Sequence, residues 1–409
     1  MTAGTWLVHP TGNQNVRHAL RALAGCDALA RYHTGLAWKS GSWVGRLLPA
    51  GLRAEAERRS YPDLPWRMVA RRPGRETARL LLPRLRLTAA TAHERGWASV
   101  DAVYRDLDRA VARRLRRAPP AALYAYEDGA LESFRAAADA GVRRIYELPI
   151  GHWRAFRRLM AEEREREPQW MEGFAGATDS DAKLERKDEE LRLADLVVVP
   201  SSYVRSTLAD HPGFAAPVTV VPYGAPPPIA VEQRGWSTSG PLRLLFVGGL
   251  TQRKGLSYLA ALTERLGQRA SLTVIGKGPR NPTIDAFLAR HRWIPGLPHA
   301  QVLEEMRRHD VLVFPTLHEG LSLATLEALS QGMAVVVTEH AGTGDVIADG
   351  SEGFVVPIRD VDALEDRVGR LMDRDCLRAV GLAALAAAAR RGWAAYRQHW
   401  LDATGLGPA

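Results

Sequence analysis

Cysteine is nearly absent from this chain: two among 409 residues, Cys26 and Cys376, far apart. Two distant thiols build neither a disulfide framework nor a thiolate metal cluster, and they suit a reducing interior. Long hydrophobic runs are missing as well. No stretch approaches the roughly 18–20 apolar residues that a membrane span needs. Met1–Gly12 has no basic segment followed by an apolar one, so no secretory signal is expected and the expected location is cytoplasmic. Lysine is scarce, with five residues in a Lys+Arg total of 55. No G-x-x-x-x-G-K-[ST] loop occurs, no D-x-D-type metal motif has supporting context, and no nucleic-acid motif accompanies the basic charge.

What is present is ordinary in bulk: 46% hydrophobic and 25% charged residues, the balance of a globular chain. At roughly 100–200 residues per domain, two domains are expected. Short β-branched runs alternate with Ala/Leu/Arg-rich helical stretches, the pattern of parallel α/β sheets. The first half offers strands at Thr5–His9, Ala122–Tyr126, Val142–Glu147, Leu196–Pro200 and Val218–Pro222. The proline-rich run that starts at Gly224 predicts an extended linker, so the chain divides near 224–241. Strands resume at Leu242–Val247, Ser271–Ile275, Val311–Phe314, Ala334–Thr338 and Gly353–Val356, as in a second doubly wound sheet.

The net charge of +9 fits phosphorylated substrates, an anionic membrane surface or nucleic acid. Two stretches concentrate it, Arg53–Arg86 and Arg105–Arg117. In the second, Leu107, Val111 and Leu115 recur every four residues, an apolar stripe opposite a basic face. Such a helix lies on a membrane or packs its stripe into a domain.

Val311 to Leu329 reads VLVFPTLHEGLSLATLEAL. A buried strand ends at Phe314, Glu319 and Gly320 follow in a short loop, and a helix begins near Leu321–Ser322. A carboxylate there faces the crevice in which open α/β sheets bind ligands. The amides of Leu321, Ser322 and Leu323 would be free at the helix start, suited to phosphate or sugar hydroxyls. Glu327, two turns deeper, could accept two adjacent hydroxyls; a capping Glu and a surface Glu explain the same residues. In LLFVGGLTQRKG (244–255), Gly248 and Gly249 permit close backbone approach, and Arg253 and Lys254 could neutralise a diphosphate. Gly276-Lys277-Gly278 makes a second crevice loop of the same kind.

Taken together, VGGLTQRKGLSYL (247–259), LTVIGKGP (272–279), DVLVFPTLHEGLSLATLEAL (310–329) and HAGTGDVIADGSEGFVVP (340–357) resemble the donor domain of family 4 retaining glycosyltransferases. The spacing Glu319-x7-Glu327 is that family's signature. The resemblance extends from about 190 to 370 and is weaker before that. It implies a GT-B fold, in which two Rossmann-like doubly wound domains face each other across a cleft. The domains expected are 1–224 for the acceptor, a linker at 225–240, 241–380 for the nucleotide sugar, and a helix at 381–409 packing back on the first.

The resemblance also assigns roles. Lys254 falls on the diphosphate-binding lysine; Gly249 stands where relatives often carry an arginine, for which Arg253 would substitute. Glu319 would contact the donor sugar and Glu327 the nucleotide ribose. Gly248, Gly249, Gly276, Lys277, Gly320, Leu321, Ser322 and Leu323 would line the donor site. The loop with Gly12 and Asn13 matches the first domain's donor-facing loop without its paired glycines. Many relatives carry a histidine where this chain has Tyr126-Glu127-Asp128. Tyr126, Glu127, Glu147 and His152 are therefore the acceptor-side candidates, with His152 also readable as a structural histidine. Trp38, Trp43, Trp66, Trp97, Trp153 and Trp170 are candidate stacking platforms or packing residues.

The activity implied is transfer of a sugar from a nucleotide-diphosphate donor to an acceptor hydroxyl, with no metal or other cofactor and no nucleic-acid partner. The acceptor is a glycan, a lipid or a small metabolite, and peripheral contact with an anionic membrane is the use expected for the surplus arginine. A non-catalytic nucleotide-sugar-binding protein, a sugar phosphorylase and a nucleotide-sugar epimerase are the other readings of the same motifs.

Overall fold

The computed structural model describes residues 2–39, 50–174, 176 and 178–407; Trp43 lies outside them. Among the described residues, two parallel sheets account for the strands. The first, in spatial order β3-β2-β1-β4-β5-β6-β7, comprises β1 (Thr2–Val8), β2 (Leu29–Thr34), β3 (Val69–Arg71), β4 (Pro120–Tyr126), β5 (Arg143–Glu147), β6 (Leu196–Val199) and β7 (Val218–Val220). The second, in order β10-β9-β8-β11-β12-β13, comprises β8 (Leu242–Val247), β9 (Ala270–Ile275), β10 (Arg292–Ile294), β11 (Val311–Phe314), β12 (Ala334–Thr338) and β13 (Phe354–Val356). Each order starts in mid-sheet and reverses once, which opens a crevice beyond the strands' carboxyl ends.

The continuous apolar runs explain the central strands. β11 (VLVF) and β6 (LVVV) are buried along their whole length, as parallel strands covered on both faces must be. β2, β3 and β10 escape sequence pattern because LARYHT, VAR and RWI are short and carry charged or polar residues at or near the sheet edges. No helix among the described residues is long and apolar enough to cross a membrane. The stripe Leu107, Val111 and Leu115 lies on a helix at Val100–Leu115 and is buried in the first domain's core, so it has no apolar face left for a bilayer.

The segment after Gly224 is not a free tether. Ile229 N–H donates to Ser330 O, Trp236 Nε1 donates to Gly332 O, and the buried Arg234 guanidinium donates to the carbonyls of Met306 and Gly332. The C-terminal crossing also differs from the boundary at 380/381. The helix starting at Arg374 runs unbroken to Arg390, packed on the second domain, and the chain crosses at Arg391–Gly392. The helix Trp393–Thr404 packs on the first domain, where Trp393 stacks on His18 at 4.1 Å and Trp400 Nε1 donates to Tyr124 OH at 3.0 Å. Ala225 N–H donates to Arg391 O at 2.8 Å, so both crossings lie side by side.

Candidate functional site

β8 ends at Val247 and the chain turns through Gly248 and Gly249 into a single 3-10 turn, Gln252–Lys254. Gly255 ends that turn with φ +71°, and a Cβ there would stand 1.9 Å from Pro315 O, so glycine is required. The loop after β11 is knitted to the same turn: Leu317 N–H and the Thr316 hydroxyl both donate to Arg253 O. Local turn chemistry thus sets two cations against one carboxylate. Lys254 Nζ lies 2.5 Å from Glu319 Oε2, and Arg253 Nη1 lies 2.7 Å from the same oxygen. Lys254 Nζ is also 4.7 Å from the Phe314 ring centre.

Burial pulls the Lys254 ammonium down to about 8 even though Glu319 favours its charge. Burial alone would raise the Glu319 carboxyl; Lys254 and Arg253 outweigh it and hold it below the ordinary range. The three groups form one charged cluster. Gly320 passes directly beneath the first domain, where a Cβ would meet Pro149 O at 1.8 Å.

The helix after Glu319 spans Leu323–Ser330, with Ser322 as N-cap accepting from Thr325 N–H. The expectation of three free amides needs one correction. Ser322 N–H is spent on Ala341 O at 3.0 Å. Among the described residues, the amides of Leu321, Leu323 and Ala324 make no hydrogen bond. Glu327 Oε1 is 2.8 Å from His299 Nε2, and burial raises its carboxyl. Gly248 and Gly276 are held in the sheet ladder through Ile275 O and Ile294 O. Lys277 is exposed, with no carboxylate partner among the described residues.

Across from this cluster the two domains enclose a cavity of about 560 Å3, lined among others by Glu127, Trp153, Phe156, Lys187, Arg253 and His318. Arg253 therefore belongs both to the cavity and to the cation cluster. His318 ties the walls together. Its Nδ1 is 2.8 Å from Tyr203 OH and its Nε2 is 3.1 Å from Gly151 O, so Nε2 carries the proton. Burial lowers this imidazole to about 3.

The first-domain candidates separate. Glu127 lines the cavity and pairs with Lys187 at 3.2 Å, and burial raises its carboxyl. Glu147 does not reach the cavity: it is 2% exposed and accepts from Asn15 Nδ2 and Tyr124 OH, both at 2.6 Å. Tyr223 OH donates to it as well, so the carboxylate joins an amide and two hydroxyls inside the core. Tyr126 is buried with its ring edge on His9. His152 is buried against Asp188 at 3.1 Å, and its Nδ1 caps the helix Trp153–Arg166. Asn13 likewise uses its side chain to cap the helix Gln14–Gly25, while Gly12 sits under Tyr61 and Tyr32 with φ +62°.

Sequence reasoning missed Lys187, Phe156 and the neutral His318. Lysine scarcity was the available signal, since Lys187, Lys254 and the nearby Lys183 all form ion pairs around the cleft. Of the tryptophans, Trp153 lines the cavity, whereas Trp66 and Trp97 lie under Arg71 and Arg75 and Trp170 packs on Phe287. His93, Glu94 and Asp179 bring ligand atoms within 4.8 Å of one another, but Lys183 Nζ already occupies Asp179 at 3.0 Å.

Residues 241–374 match the family described as Glycosyl transferases group 1. The chain is 29% identical to glycogen synthase of Mycobacterium tuberculosis over 144 residues, 33% of this chain and 35% of that protein. It is 29% identical to the GDP-mannose-dependent alpha-(1-6)-phosphatidylinositol monomannoside mannosyltransferase of Mycolicibacterium smegmatis over 232 residues, 51% of this chain and 59% of that protein. The chain thus spans about a third of the length of the first and under two thirds of the second. Sucrose-phosphate synthase of Thermosynechococcus elongatus superposes with TM-score 0.65 at 16% identity, covering 98% of this chain and 97% of that one. HepE of Anabaena, solved with UDP-glucose, superposes with TM-score 0.61 at 13% identity, covering 98% and 99%. The architecture is the GT-B fold.

Proposed function

We propose that this chain is a glycosyltransferase that moves a sugar from a nucleotide-diphosphate donor to an acceptor hydroxyl, with retention of configuration and without a metal. One observation carries the reading. Two cations, Arg253 and Lys254, converge on a single oxygen of Glu319 beside amides that are unbonded among the described residues at the start of Leu323–Ser330, and Arg253 also lines the interdomain cavity. The family match over 241–374, which contains these residues, supports it.

In this reading the diphosphate competes with the Glu319 carboxylate for the two cations. Arg253 offers a guanidinium fork and Lys254 a point charge. The amides of Leu321, Leu323 and Ala324 add donors fixed in advance, which favours charge developing on the leaving phosphate. Glu319 then stands at the sugar, and Glu327 at the ribose. The acceptor hydroxyl enters from the cavity beside Trp153 and Glu127. Its oxygen bonds to the anomeric carbon on the face the diphosphate leaves, the carbon–phosphate oxygen bond breaks, and the acceptor proton passes to the departing phosphate. Closure of the two domains keeps water from taking the acceptor's place.

The test is donor turnover by purified protein across a panel of nucleotide sugars, with Lys254→Ala and Glu319→Ala alongside. Turnover that persists near the parent rate in both variants defeats the reading. Saturable nucleotide-sugar binding with no turnover in the parent would instead support a binding protein.

A further inference from the structure

The arginines not used by the cleft are not spread evenly. The helix Val100–Leu115 turns its apolar stripe inward, which sends Arg113 and Arg114 outward, and Arg117 follows in the next turn. There they meet Arg71 and Arg72 at the end of β3 and His33 on β2, and the six side chains line a cavity of about 210 Å3. None of them lines the interdomain cavity.

The charge in this second cavity is largely uncompensated. Arg72 is held by Asp106 through contacts of 2.8 and 3.2 Å. Arg71 lies over the Trp66 ring at 4.6 Å, which does not neutralise it. Arg113, Arg114 and Arg117 have no carboxylate partner among the described residues. Burial and the neighbouring Arg31 and Arg72 pull Arg114 below the ordinary arginine range, a sign of crowded like charge. His33 supplies an independent observation. It is 2% exposed, and its Nε2 has no hydrogen-bond partner among the described residues. Burial keeps the ring neutral, with its pKa lowered to about 3. A buried polar atom left unpaired is costly.

We propose that this cavity binds the phosphate group of a ligand distinct from the sugar donor. Guanidinium forks match phosphate oxygens. A carboxylate would bring one negative charge, whereas a phosphomonoester brings about −1.5 to −2 at neutral pH, closer to what Arg113, Arg114 and Arg117 require. The group can be carried by a soluble phosphorylated molecule or by a phospholipid headgroup. The buried stripe removes insertion of this helix as an explanation for lipid contact, so either carrier would be held by its phosphate.

The experiment titrates inorganic phosphate at constant ionic strength into the full chain carrying Lys254→Ala, which removes a cation proposed for the donor diphosphate. Calorimetry should show saturable binding, and Tm should rise with phosphate. Adding Arg114→Gln and Arg117→Gln should weaken binding about tenfold or more. Both arginines are exposed, and circular dichroism checks that the variant folds. Phosphatidylcholine vesicles with and without phosphatidic acid separate the carriers. Retention that needs phosphatidic acid, is competed by inorganic phosphate and is lost in the arginine variant identifies a headgroup. Phosphate binding without retention identifies a soluble carrier. Absence of phosphate binding, binding equal in the arginine variant, or retention that phosphate does not compete overturns the proposal.

Discussion

Arg359 Nε of the second domain donates to Glu163 Oε1 of the first at 2.7 Å, and the Glu163 side chain is fully buried. The same carboxylate accepts from Gln252 Nε2 at 2.6 Å and from Tyr258 OH at 3.0 Å. Gln252 belongs to the turn that carries Arg253 and Lys254, so the tie between the domains is attached to the candidate catalytic turn. Arg359 holds φ at +67°, a conformation a non-glycine residue keeps only when its surroundings demand it. Glu163→Ala leaves three donors facing an empty site. Arg359 keeps Glu162 as a second partner at 2.7 Å, so the cost is that of buried donors left unpaired, about 1–3 kcal/mol. The expected outcome is a clear fall in Tm together with reduced donor turnover. Unchanged values of both would show that the tie carries neither role.

Lys254 makes the candidate chemistry sensitive to mildly alkaline pH. With its pKa near 8 in the free protein, the ammonium loses its proton as pH rises through that value, and the cation offered to the diphosphate is lost. A bound diphosphate adds negative charge and moves the pKa up. kcat/KM, which reports the free enzyme, should therefore fall above pH 8, while the fall in kcat should begin at higher pH. Lys254→Arg, which stays charged throughout, should flatten the kcat/KM limb even if its overall rate is lower. Identical alkaline limbs in the two proteins would remove Lys254 from the titration.

How much of this was legible in the sequence depended on the kind of interaction. Apolar runs such as VLVF and LVVV announce buried parallel strands because burial on both faces leaves no room for alternation. The cluster of Glu319, Arg253 and Lys254 was legible because it is built from short loops directly after strands, which the parallel sheet brings side by side. The surroundings of Glu147 and of His152, acceptor-side candidates of which His152 also reads as a structural histidine, were hidden for the opposite reason. Their partners, Asn15, Tyr124 and Asp188, lie far away in sequence, and only the folded chain shows those carboxylate and imidazole groups already satisfied. The neutral state of His318 depends in the same way on Tyr203 and Gly151.

His9 should make the first domain sensitive to acid. Its Nδ1 accepts from Gly12 N–H at 2.8 Å and Thr11 N–H at 3.2 Å, so protonation there sets N–H against N–H. Burial lowers its pKa from 6.5 to about 3. The unfolded chain therefore binds the proton first. Stability is fully present above about pH 6.5 and is lost as pH falls toward 3, at up to about 1.4 kcal/mol per pH unit for this group. In His9→Asn, where Oδ1 can accept without titrating, Tm should decline less between pH 7 and 5 than in the parent. Parallel Tm–pH curves would contradict the assignment.

Arg234 explains why a proline-rich run that reads as an extended linker behaves as part of the second domain. Its side chain is buried, and burial lowers its pKa only to about 10, so it remains charged at neutral pH. Nη1 donates to Met306 O at 3.0 Å and Nε to Gly332 O at 3.1 Å; further contacts reach the carbonyls of Arg307 and His309. Three of those carbonyls lie at the end of the helix His299–Arg308, where a cation also meets the negative end of the helix dipole. Arg234→Met keeps the apolar stem and removes the fork, at an expected cost of about 2–4 kcal/mol. Arg234→Lys should recover little, because a point charge cannot serve carbonyls spread along a fork. Chemical denaturation of the three proteins measures this directly. Turnover per folded molecule should stay close to the parent's, since Arg234 touches neither the cation cluster nor the interdomain cavity; a lysine variant as stable as the parent would show that charge alone anchors the linker.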